Sequence, residues 1–99
     1  MLHRALKITR EFHKVRPSQL AADLNISKSY LSLIESGKKP VTLDIVEKYA
    51  QRFDIPASSL MFFAESMDGH KIPEKFKRMF AGKILKIMEW MTIVDGEDS

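Results

Sequence analysis

Within the five residues from Lys28 to Ser32 the chain gathers an ammonium, two flexible hydroxyls and a phenol: Lys28, Ser29, Tyr30 and Ser32. A lysine only donates, a serine donates or accepts, and a tyrosine adds an apolar ring with a polar tip. On either side stand further donors and cations, namely Arg16, Ser18, Gln19 and Ser27 before, and Lys38 and Lys39 after. Such groups suit a polyanion, with cations held against phosphates and the central donors left to read what lies between them. Catalysis is not indicated. His3, His13 and His70 are scattered, and no HExxH, CxxC, P-loop or glycine-rich nucleotide fingerprint occurs. There is no cysteine, which excludes disulfides and thiolate metal sites. No metal and no small-molecule cofactor is expected, and His3 and His13 read as surface residues of the first helix.

Two short helices must carry these groups. In Pro17–Ser36, PSQLAADLNISKSYLSLIES, the residues Leu20, Ala21 and Leu24 form one apolar stripe and Leu31 and Ile34 a second, each at helical spacing. Asn25 lies between them, and asparagine tolerates the left-handed exit that a helix end uses. Ile26 plugs the corner. Ser27 is a good N-cap for the second helix, because its hydroxyl can accept from an otherwise orphan backbone N–H. Ala21 is small where crossing helices come close. Apolar, small, apolar, turn residue, apolar, cap and two further apolar positions make a helix-turn-helix, whose second helix enters the major groove of DNA. There Lys28 can donate to guanine O6 and N7, the serines suit either base-pair type, and Tyr30 suits a sugar or a thymine methyl.

Leu6-Lys7-Ile8-Thr9-Arg10, Leu20-Ala21, Ile26-Ser27 through Ile34-Glu35-Ser36-Gly37-Lys38, and Tyr49-Ala50 through Phe53-Asp54-Ile55 together resemble the Cro and phage-repressor (XRE) helix-turn-helix family. Ser-Tyr-Leu-Ser-Leu-Ile-Glu-Ser-Gly-Lys is the most specific piece. The resemblance covers residues 6 to about 63. It implies an all-α, lambda-repressor-like domain of five helices, with base contacts from Lys28, Ser29, Tyr30 and Ser32. Phosphate contacts would come from Arg16, Ser18, Gln19, Ser27, Lys38 and Lys39. It also implies an ion pair between Arg10 and Glu35, which would let a charge lie near a core face. Pro17 departs from the family, which often has a glutamine there; proline cannot donate, so Ser18 or Gln19 must make that contact if it is made.

The rest of the chain reads as support. Residues 1–40 carry eight basic and three acidic side chains, residues 41–99 eight basic and ten acidic, so the excess of +3 lies with the helix-turn-helix. An apolar fraction of 44% suffices for one core in 99 residues. No stretch approaches the roughly 20 apolar residues of a membrane span, and the protein is expected in the cytoplasm. Leu2 to His13 reads as helix 1, Thr42 caps helix 4, and Pro56 opens helix 5. A DNA-binding domain over residues 1–66 would then be followed, over 67–99, by one long amphipathic helix from Pro73 to about Val94, stopped by Asp95-Gly96. Its apolar residues Phe76, Phe80, Ile84, Ile87 and Met91, with Phe62 and Phe63 of helix 5, are expected to form a homodimer interface, while Leu85 and Ile93 lie off that stripe. The function expected is sequence-specific regulation of transcription by a homodimer, most simply a repressor, on a palindrome of double-stranded DNA. The alternative is an antitoxin-type protein whose C-terminal helix holds a protein partner, as some family members do. A basic helix lying on a membrane is disfavoured by Glu74, Glu89 and the acidic tail.

Overall fold

In a computed structural model the chain is described over residues 1–69, 73–79 and 82–97, the side chains of Phe76, Lys77 and residues 95–97 excepted. The described residues form helices only: α1 (Leu2–Phe12), α2 (Pro17–Asp23), α3 (Lys28–Glu35), α4 (Leu43–Phe53), α5 (Ala57–Met67), α6 (Glu74–Met79) and α7 (Lys83–Glu97). This is the expected all-α architecture with one more helix than expected.

Local chemistry sets most of the boundaries. Pro17 starts α2, where a missing N–H costs nothing. The hydroxyl of Ser27 accepts from Tyr30 N at 3.0 Å and that of Thr42 from Ile45 N at 3.2 Å, so α3 and α4 each begin with a side-chain cap. Asn25 leaves α2 with φ 58° and Asp54 ends α4 with φ 54°, both left-handed. After α3 the chain turns at Gly37, φ +81°. A Cβ there would stand 3.0 Å from the His3 ring and would have to displace it, and the backbone conformation itself favours glycine.

α1 packs chiefly on α5, and α2 on α3. Leu6, Leu20, Leu31, Ile34, Ile45, Tyr49, Phe53, Leu60 and Phe63 fill the space between them and are almost wholly buried. Each such apolar side chain contributes about 1.5–3 kcal/mol on burial.

The C-terminal part differs from the single helix expected. It is broken between α6 and α7, and Gly82 there takes φ +105°, a conformation side-chain-bearing residues rarely adopt. Apolar periodicity runs through this position and hides the break. Asp95-Gly96 does not stop α7, which continues to Glu97.

The expected interface residues also need correcting. Phe62 (8% exposed), Phe63 (0%), Ile84 (2%) and Ile87 (0%) are buried inside this one chain, because α7 folds back on α1 and α5. Met91 is half-buried against the same core. Phe80 and the side chain of Phe76 lie outside the described residues. His13, expected on the surface, is also partly buried: its Nε2 is inaccessible and has no hydrogen-bond partner among the described residues, and its ring lies 4.5 Å from that of Phe53.

Candidate nucleic-acid interface

The candidate face is built from behind. On α3, Leu31, Ile34 and Glu35 point inward and are 1%, 0% and 6% exposed. The Nε of Arg10 donates to both oxygens of Glu35, at 3.0 and 3.1 Å, and its Nη1 donates to the Val15 carbonyl at 2.9 Å. Tyr49 of α4 donates its hydroxyl to Glu35 Oε2 at 2.6 Å. Burial, reinforced by the facing carboxylate, holds the Tyr49 phenol protonated far above its usual range. One carboxylate thus ties α1, α3 and α4 together, with its charge matched by Arg10 and both its oxygens engaged. The pair was legible only by resemblance. For Tyr49 the signal is that a buried tyrosine, unlike phenylalanine, needs somewhere to place its hydroxyl.

With its back held, α3 leaves Lys28, Ser29 and Ser32 exposed to solvent. Tyr30 is half-buried, and the Lys39 ammonium lies 5.5 Å from its ring centroid, so part of its face is already occupied. Lys28 and Ser32 share a groove of about 260 Å³ with Lys7, Pro17 and Ser36. Lys7 was not singled out from the sequence, though its place one helical turn before Arg10 on α1 is the signal that could have found it. Its present partner, Glu11, is a loose 4.0 Å away.

The remaining expected contacts are exposed but not equally free. Arg16, Ser18, Lys38 and Lys39 are open to solvent. Ser27 is also exposed, with its oxygen capping α3, which leaves its proton to donate elsewhere. Gln19 donates its amide to Asp23 at 2.8 Å. Asp23 also accepts from Arg52 Nε at 2.8 Å, and these two bonds, the one from Arg52 first, hold its carboxyl below the usual range. Asp23 thereby clamps the end of α2 to α4, and Lys48 adds a bond to the Leu24 carbonyl at 3.3 Å.

A short helix with a polar exposed face, crossed behind by a second short helix and fringed by lysines, defines a DNA-binding helix-turn-helix module. Residues 6–60 match the helix-turn-helix family of the Cro/C1 type (XRE), and the chain belongs to it. No curated protein matches the chain. Members of this family regulate transcription by binding DNA, and this protein is a DNA-binding transcriptional regulator. No described helix is long and apolar enough to cross a membrane.

Proposed function

We propose that the protein is a repressor that binds a palindromic operator as a homodimer. The observation that carries the reading is α3, whose Lys28, Ser29 and Ser32 stand exposed while its other face is fixed to α1 and α4. One such head reads a single half-site. Two heads related by a two-fold axis would read half-sites about 34 Å apart.

The support for a dimer now comes from other residues than those first expected. Ile84 and Ile87 are committed to the core, but Ile93 remains 62% exposed, Met79 68% and Leu85 36%. These apolar side chains on the C-terminal helices are candidates for contact with a second copy, isologous as two-fold symmetry requires. Sedimentation of the whole chain should show a dimer at micromolar concentration, and Ile93→Asp should shift it towards monomer without loss of helical ellipticity. A full-length monomer would overturn the homodimer.

Lys38 and Lys39 are assigned to phosphates. Lys38→Ala should weaken specific and non-specific DNA binding to a similar degree and flatten the log–log salt dependence by about one unit. A slope that stays unchanged across several salt concentrations would remove Lys38 from the interface.

A further inference from the structure

His13 stands at the seam where α7 meets the five-helix domain. It caps α1, and its Nδ1 lies 2.6 Å from the Thr9 carbonyl, which requires the proton on that nitrogen. Nε2 is then an acceptor with no partner among the described residues, enclosed in protein. Around the ring the surroundings are aromatic. Phe53 of α4 lies against it at 4.5 Å, and Phe12 meets it edge-on at 5.2 Å. Phe12 in turn meets Trp90 of α7 edge-on at 5.7 Å. The charges that act on His13 from the neighbouring helices are the cations Lys83 of α7 and Arg52 of α4. Along its own element it is flanked by Glu11 and Lys14. Arg52 is engaged by Asp23, and Lys83 donates to the Phe53 carbonyl at the open end of α4. Lys83 is also the first residue of α7, so the tie that starts this helix lies beside His13.

We propose that His13 makes the docking of α7 onto the DNA-binding domain proton-sensitive, so that acid releases α7 while the five-helix domain stays folded. A second proton on His13 must go to Nε2. There it finds no acceptor among the described residues and two nearby cations, one of them the residue that anchors α7. The docked state therefore disfavours the imidazolium, whereas release carries Lys83 away from the ring.

The sign follows from linkage. Burial, then Lys83 and Arg52, lower the proton affinity of His13 in the docked state, the Thr9 bond opposing them. The released state, with a histidine near its ordinary value of about 6.5, binds more protons. Docking is therefore fully favoured above that value. It weakens as pH falls below it, until the docked ring itself titrates. The chain contains a single tryptophan, and it lies in α7 at the seam.

Trp90 emission of the full chain, followed from pH 7.5 to pH 5 together with helical ellipticity, tests the proposal. The expected result is a shift of Trp90 emission to the red below about pH 6.5, with ellipticity falling by no more than α7 alone can lose. His13→Phe, which keeps a ring against Phe53 but cannot titrate, should abolish the shift. His13→Gln should do the same and decides the matter if His13→Phe does not fold. Three results would overturn the proposal: Trp90 emission that stays constant to pH 5, the same shift in a non-titrating variant, or a collapse of ellipticity that accompanies the Trp90 change. None of these readouts involves DNA, so the proposal stands or falls apart from the operator reading.

Discussion

Replacing Glu35 with alanine is expected to destabilise the fold by about 3–5 kcal/mol, the usual cost of breaking a buried ion pair from one side. Set against the roughly 5–15 kcal/mol that holds a domain of this kind together, this is a large share. The cause lies less in lost attraction than in what is left behind. Without Glu35, the Arg10 guanidinium, with its side chain only 10% exposed, keeps a single backbone carbonyl as partner, and the Tyr49 hydroxyl has none. Arg10→Ala strands the carboxylate instead. The double substitution Arg10→Met with Glu35→Leu should cost less than either single alanine change, because no buried charge survives it. Urea unfolding of the unaltered protein, Arg10→Met, Glu35→Leu and the double substitution completes a double-mutant cycle. Near-zero coupling would mean that the pair seen between α1 and α3 makes no net contribution as a pair.

The second large effect is expected at Lys28. Its ammonium can donate to two acceptors on one guanine edge, and such a contact is worth about 1–3 kcal/mol, which is about 5- to 150-fold in affinity. Lys28 opens α3, is exposed, and belongs to no buried cluster, so its removal should leave thermal stability unchanged. Affinity of Lys28→Ala should fall for DNA that the protein selects from a random pool and far less for unrelated DNA. Ser29→Ala should follow the same pattern with a smaller loss. Unaltered melting with unaltered affinity would show that α3 is not the reading head.

How much of this was legible depended on whether the physics was local. The helix-turn-helix could be read because every signal lies within a few residues: Ala21 for a close crossing, Asn25 for the left-handed exit, and Ser27 for the cap, whose bond to Tyr30 N is present. The C-terminal helices were harder. Periodicity identified Ile84 and Ile87 as residues needing cover but could not say whether a second copy or the chain's own core would supply it; the core does. Gly82 was overlooked because the apolar pattern continues through it. His13 carried no sequence signal, since its burial depends on Phe53, forty residues away, and on a helix farther still.

The bonding of Glu35 to Arg10 and Tyr49 also bears on the thermodynamics of association. A recognition helix locked to its two neighbours before DNA arrives has little order left to gain. Binding should therefore resemble the meeting of two finished surfaces, with a heat-capacity change set by the area that contact alone covers and none of the larger signature of coupled folding. Arrival would be governed by the lysine-rich fringe, so salt should act mainly on the association rate. The lifetime of the complex would then rest with the few side chains that α3 holds in place.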